Sequence, residues 1–298
     1  MLFMTSSKKN ILYLGPKSGG AATIVSSIAD FFGCSYHCSI KSYLFACFSS
    51  KSDIIHTALP VINFRGVPVL LHVHGNYARE YSFRHPLTFL YPLAVRFAKQ
   101  IFVPSKTLAK ELRLDATVIP NFLQKKPVVG DKKSTYVTVT SFDFKKKAYG
   151  VLKIAKALAK QNAFSWVVVG DGRYKNEVES QVQKIVGSKV MFVGRKSHPF
   201  KHIGDVFLYW SELETFGLVL LEAKAAGMPI VCNNFPAMRE VLTSEYFLPQ
   251  EFVLAKSAKE FSAAAKRFAS KKVAVSRLPV AKLKARCMRM WEEVYANV

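Results

Sequence analysis

Residues 205–232 read DVFLYWSELETFGLVLLEAKAAGMPIVC, and the order of elements in this stretch decides the fold. The apolar run from Asp205 to Tyr209 predicts a strand, Leu218 to Ala226 predicts a helix, and Pro229 to Cys232 predicts a second strand. Strand, glycine-containing turn, helix and strand form the repeating unit of a parallel α/β sheet. Such a turn, here with Gly217, sets backbone N–H groups and the positive end of a helix dipole at the carboxyl edge of the sheet, where a diphosphate is favoured. Glu222, about one turn inside the helix, is positioned to accept hydrogen bonds from a ribose diol, and Glu214, ahead of the helix, to meet sugar hydroxyls.

The same alternation extends outward. Strands are predicted at Asn10–Gly15, Asp53–His56, Pro68–His74, Gln100–Pro104 and Thr117–Pro120, with a helix from Gly19-Gly20 through Phe32. A polar, basic stretch after Gln124, with Pro127, Gly130 and Lys132-Lys133, reads as a linker. The alternation restarts at Tyr136–Thr140 and continues through helix Gly150–Gln161, strand Ser165–Val169, helix Asn176–Val186 and strand Lys189–Val193. The expectation is two Rossmann-like doubly wound domains, residues 1–124 and 134–275, followed by a helical segment 276–298.

Glu214-Thr-Phe216-Gly217-Leu218-Val-Leu-Leu-Glu222-Ala, followed by Ala226-Gly-Met-Pro-Ile-Val, resembles the E-x7-E segment of the family 4 retaining glycosyltransferases. Further segments resemble the family in the same order. They are Leu71-His-Val-His74-Gly75, Val103-Pro-Ser105, Val118-Ile-Pro120-Asn121, Val167-Val-Val-Gly170-Asp-Gly172 and Val190-Met-Phe-Val-Gly194 with Arg195 after it, so that the likeness covers most of residues 10–245. The resemblance implies a GT-B fold, in which two Rossmann-like domains face a cleft and the helix of segment 276–298 packs back on the first domain. It also implies transfer of a sugar from a nucleotide-diphospho-sugar to a glycan or lipid-linked acceptor, with retained anomeric configuration and neither metal nor other cofactor.

Residue by residue, the resemblance implies catalytic roles for Glu214, Lys147 and His74. Donor binding falls to Glu222, Phe216, Gly217, Leu218, Gly170, Gly194, Arg195 and Lys146, and the acceptor-side loop to Gly19 and Gly20. Fixed cations stabilise the negative charge that grows on a departing diphosphate. Lys147 matches the family's lysine, but Phe142 stands where the family has an arginine, and Lys145 or Lys146 are the candidate replacements. Ala148 and Pro236-Ala237 replace further glycines of the pattern. These departures keep open a GT-B protein with an altered donor or reduced activity.

A net charge of +23 favours anionic partners of several kinds. Nucleic-acid binding, suggested by that charge alone, would require a basic stripe or a recognisable module, and none is read. Two segments are suited to an anionic membrane surface: Tyr81–Lys99, which mixes aromatics with Arg84, His85 and Arg96, and residues 256–289, with eleven Lys or Arg against Glu260. Their alternatives are a core helix and a solvated helix face. No apolar run reaches the roughly 20 residues of a membrane span. Met1–Lys9 lacks the order of an export signal, so the expected location is cytoplasmic, with peripheral contact at the inner membrane face. Five scattered cysteines are expected to be reduced, and Cys34, His37 and Cys38 lack the second ligand pair of a zinc site.

Overall fold

The computed structural model describes residues 9–17, 19–49, 51–76 and 86–298, apart from the side chains of 86–88 and 132–133. Its contacts divide the chain into one unit of Met1–Gln124 with Ala281–Val298 and another of Lys125–Val280.

In the first unit, β1 (Ile11–Leu14), β2 (Tyr36–His37), β3 (Ile54–Thr57), β4 (Val69–His72), β5 (Gln100–Val103) and β6 (Thr117–Val118) form one parallel sheet in the order β2-β1-β3-β4-β5-β6. The helices are α1 (Gly20–Phe31), α2 (Ile40–Phe48), α3 (Pro86–Phe97) and α4 (Lys106–Leu112). Strand side chains alternate between faces. Leu14, Ile55 and Val69 pack under Ala46 and Cys47 of α2, and Leu71 and Val103 under Tyr91 and Ala94 of α3 and Leu108 of α4. The opposite face carries Tyr13, His56, His72 and Phe102, which meet the chain's last helix as described below.

In the second unit, β7 (Lys132–Val139), β8 (Trp166–Val169), β9 (Val190–Phe192), β10 (Ile203–Tyr209), β11 (Ile230–Asn233) and β12 (Phe252–Ala255) are parallel in the order β12-β11-β10-β7-β8-β9. Its helices are α5 (Lys145–Leu158), α6 (Lys175–Val186), α7 (Leu218–Ala225), α8 (Pro236–Leu242) and α9 (Ala258–Lys271), and α10 (Val280–Ala296) ends the chain. After β7 the order runs outward through β8 and β9, and after β10 it runs the other way through β11 and β12. Right-handed crossovers then put the two sets of helices on opposite faces, leaving a switch point at the carboxyl ends of β7 and β10.

Several expectations change. Lys132 and Lys133 belong to β7, because the ladder with β10 begins at Lys132, ahead of the first apolar residue of the strand. Helix α5 starts five residues earlier than Gly150, so Lys145–Lys147 form its first turn. The two-residue β2 has too little sequence to show a period. In the basic segment 256–289, Phe261, Phe268, Leu278 and Met288 are all buried. The segment's cations therefore line the outer sides of core helices, and none of these four apolar residues remains for a membrane. Of the segment 81–99, residues 81–85 lie outside the described residues.

Candidate active site

The second unit's switch point gathers most of the residues singled out for donor chemistry. Asn233, at the end of β11, clamps the loop after β10: its Oδ1 accepts from Ser211 N at 2.9 Å and its Nδ2 donates to Ser211 O at 2.9 Å. The Ser211 hydroxyl donates to Leu213 O at 2.8 Å and accepts from Leu213 N at 3.1 Å, closing a tight turn. Glu214 follows with its carboxylate held by three donors: Tyr209 Oη at 2.9 Å, Lys147 Nζ at 3.2 Å and Thr215 N at 3.3 Å. Its side chain is only 9% exposed, which strengthens the pairing with Lys147 relative to a surface ion pair.

Lys147 reaches Glu214 because α5 comes unusually close to β10. A Cβ on Gly150 would collide with the carbonyl oxygen of Trp210, and Glu212 N donates to Lys146 O at 3.2 Å. Lys153 also pairs with Glu212 on the next turn. Glycine at 150 thus sets the depth at which the first turn of α5, with its cation, meets the loop that carries Glu214.

Helix α7 starts at Gly217, whose φ of +90° is a left-handed conformation that glycine adopts without strain. The first-turn N–H groups of Leu218 and Val219 have no helical carbonyl to donate to and face the favourable end of the dipole. Phe216 is buried, so its backbone and not its ring is what this turn presents. Glu222, half-buried one turn further on, has its carboxyl pushed up to about 7 by burial. A carboxyl so placed gains most when hydroxyl donors replace the water it lost.

The position where an arginine was implied is filled by Phe142, fully buried against Phe192 with ring centroids 6.1 Å apart. Its backbone is pinned on both sides, donating to Asp171 O and accepting from Tyr174 N, each at 3.0 Å. No cation extends from here. Gly170 and Gly172, with φ of +148° and +145°, let the loop after β8 press on residues 140–143, where a Cβ would strike Thr140 O or the Phe142–Asp143 backbone. Arg173 then donates from Nε to Asp143 O at 2.9 Å, and Arg195, following Gly194, lies 4.0 Å from the Asp143 carboxylate. Two guanidinium groups therefore flank the loop from which the arginine is missing, while Lys145 and Lys146 are exposed. Arg173 and Tyr209 escaped the sequence reading. The one signal for Arg173 was its place directly after Gly170-Asp-Gly172, and a tyrosine ending an apolar strand reads as core.

In the first unit, Gly19 caps α1 with φ +97°, with open space where a Cβ would stand, and Gly20 is the first helical residue. His74 follows β4 with its ring 3.9 Å from that of His72. His72 Nδ1 and His56 Nε2 share a hydrogen bond of 3.3 Å, and His56 Nδ1 shares another with Tyr295 Oη from α10. Trp291 of the same helix packs on His56, His72 and Phe102 at 4.6, 5.0 and 4.7 Å. Burial pushes His56 and His74 down to about 3 and His72 well below its ordinary value, so all three rings are neutral at physiological pH. His74 is therefore a hydrogen-bonding group here and not a cation.

Residues 121–281, more than half of the chain, match the family model described as glycosyl transferases group 1. Among curated relatives, the α-monoglucosyldiacylglycerol synthase of Streptococcus pneumoniae is 27% identical over 131 residues, which cover 42% of this chain and 30% of that protein. The O-antigen biosynthesis glycosyltransferase WclY of Escherichia coli is 30% identical over 98 residues, covering 32% and 28%. The matches span less than a third of either relative. Two solved structures share the fold over nearly the whole of both chains. Anabaena Alr3699/HepE in complex with UDP and glucose has a TM-score of 0.66 and 16% identity, covering 97% and 100%; the lipopolysaccharide outer core galactosyltransferase WaaB in its apo form has 0.64 and 14%, covering 97% and 99%. Their fold is the GT-B architecture that the two six-stranded parallel sheets exhibit. By the match over residues 121–281, and by the Glu214 to Glu222 segment that lies inside it, this chain belongs to the group 1 glycosyl transferases.

Proposed function

We propose that the protein is a retaining glycosyltransferase, moving a sugar from a nucleoside-diphospho-sugar to a hydroxyl of a glycan or lipid-linked glycan in cell-surface polysaccharide or glycoconjugate synthesis. The observation that carries this reading is the buried Glu214 carboxylate, paired with Lys147 beside the start of α7, with Glu222 one turn beyond. In the proposed reaction the bond between the anomeric carbon and the diphosphate oxygen breaks, its electron pair staying with the diphosphate. The acceptor oxygen bonds to that carbon and gives up its proton. Lys147 and the N–H groups of Leu218 and Val219 offset the charge on the leaving group, with Arg173 and Arg195 adding positive potential where the arginine is absent. Glu214 orients the sugar hydroxyls and Glu222 the ribose. His74 and the Gly19-Gly20 turn serve the acceptor side, His74 as a neutral hydrogen-bond partner. In this scheme the cations do the work that a metal ion does elsewhere.

UDP-sugars are the first donors to try, since the structural neighbour HepE was solved with UDP and glucose. The test is release of nucleoside diphosphate from a panel of nucleotide sugars in the presence of EDTA, with the product anomer read by NMR. The proposal expects metal-independent release, an α-linked product from an α-configured donor, and a fall of about 10²–10³ in turnover for Lys147→Ala. Release that needs a divalent ion, or that is equal in wild type and Lys147→Ala, would contradict it. A second reading, a protein that binds nucleotide with little turnover, is favoured by the buried Phe142. It predicts nucleotide binding without release in the same assay.

A further inference from the structure

We infer that the first unit docks on an anionic lipid bilayer through the outer side of the layer formed by α2, the β3–β4 connection and α3. Helices α2 and α3 lie on the same face of the sheet, since the side chains beneath them, Leu14, Ile55 and Val69 under one and Leu71 and Val103 under the other, all project from that face. Both helices bury one side against the sheet, yet their outer sides are also apolar. Phe48 is 61% exposed and Phe64 66%, their rings stacked at 5.4 Å, and Leu44 stands one turn before Phe48. On α3, Phe89 is 68% and Phe97 60% exposed, with Leu93 between them at helical spacing. Scattered exposed hydrophobes need no explanation, but six large ones across one layer mark an interaction surface.

Charge selects the occupant. Lys41, Lys51 and Arg65 accompany the α2 half and Arg96 and Lys99 the α3 half, all exposed. The lone acid between Phe31 and Asn76 is Asp53, whose carboxylate already accepts from Asn10 N at 2.7 Å. Large apolar side chains interspersed with cations suit the boundary between acyl chains and anionic headgroups. Among the described residues no helix is long and apolar enough to cross a membrane, so the contact is peripheral. Helix α3 lies within the segment 81–99 already suited to a membrane surface, whereas the aromatics of 256–289 are core; α2 and the β3–β4 connection extend the surface, and docking there does not depend on the proposed transfer reaction.

The test is cosedimentation of the full chain with vesicles of phosphatidylglycerol and phosphatidylcholine in equal parts, and with phosphatidylcholine alone, in the absence of any nucleotide sugar. Wild type is expected to bind the anionic vesicles and to weaken as salt rises. The pairs Phe48→Ser/Phe64→Ser and Leu93→Ser/Phe97→Ser should each weaken binding about tenfold or more without lowering Tm, while Lys266→Ser/Lys271→Ser on α9 should change it far less. Tryptophan introduced as Phe48→Trp or Phe97→Trp should be quenched by brominated acyl chains. Unchanged binding in both serine pairs, or no quenching at either tryptophan, would overturn the inference. So would a wild-type dimer that the serine pairs convert to monomer while vesicle binding persists, because a second copy of the chain would then be what covers this face.

Discussion

Seven residues separate Glu214 at the strand end from Glu222 in the helix, and their surroundings give them different electrostatic roles. Glu214 is already paired: Lys147, Tyr209 and Thr215 donate to it without any ligand. Removing it as Glu214→Ala should lower kcat by about 10²-fold with little change in nucleotide affinity, because it is argued to act on the sugar. Among the described residues no such donor meets the Glu222 carboxyl, and burial raises its pKa to about 7 from 4.5. Since the folded value lies above the unfolded one, the native state holds the extra proton between them. The stability Glu222 contributes is full below about 4.5 and declines as pH rises towards 7. The ligand-free Glu222→Gln variant should therefore gain in Tm relative to wild type as pH goes from 4.5 to 7, measured by scanning calorimetry in matched buffers. Nucleotide affinity should run the other way, improving through pH 7 in wild type as the carboxylate forms, with that component absent in Glu222→Gln. The sequence makes Glu214, Glu222 and Lys147 legible through spacing and resemblance. Tyr209 and Arg173 stay hidden because their importance lies in partners contributed by other turns of the chain.

Among the elements, α5 depends most on a single residue. Gly150 lies against the Trp210 carbonyl, so Gly150→Ala should displace the helix and cost about 1–3 kcal/mol in urea unfolding, with a larger fractional loss of turnover because Lys147 moves with it. Helix α7 has a different anchor beneath it. Lys224 and Glu251 form an ion pair with both side chains 1% exposed, and Lys224 also donates to Ser276 Oγ at 2.8 Å. Burial alone would raise the Glu251 carboxyl, but hydrogen bonds from Lys224, Ser276 and Leu248 N hold it below its ordinary value. Lys224→Met leaves that carboxylate buried and unpaired, and should destabilise the fold by about 3–5 kcal/mol, read from denaturant midpoints at constant m. At this scale the long apolar strands and amphipathic helices are readable because their periods are clear. The start of α5 is not, since three successive lysines carry no period and Phe144 caps the helix without a side-chain hydrogen bond. The polar look of α9 and α10 has a related cause, their cations outnumbering the few residues per turn that reach the core.

For the molecule as a whole, the two units differ in how they are completed. The first borrows α10 from the far end of the sequence to cover Tyr13, His56, His72 and Phe102, with Tyr295 meeting Phe32 at 4.9 Å and Cys287 Sγ donating to Pro120 O at 3.3 Å. Trp291→Ala should cost about 3–5 kcal/mol, by hydrogen exchange chiefly in β1, β3, β4 and β5, because it empties the centre of that face. The two-domain pattern is readable from the alternation of strands and helices, whereas the return of the last helix was an expectation carried by the family resemblance, since no local pattern announces which sheet a distant helix covers. The +23 charge is likewise visible in composition, but only the folded distribution shows which cations stand beside exposed apolar side chains. In the proposed function the carboxyl edge of the second sheet holds a nucleoside diphosphate through α7 and Glu222. Its most direct test is calorimetric titration of the protein with UDP, GDP, ADP and CDP, beside Glu222→Ala. Saturable one-to-one binding of at least one of them is expected, weakened tenfold or more in Glu222→Ala, about 1.4 kcal/mol. Binding of none, or equal binding by wild type and Glu222→Ala, would contradict it.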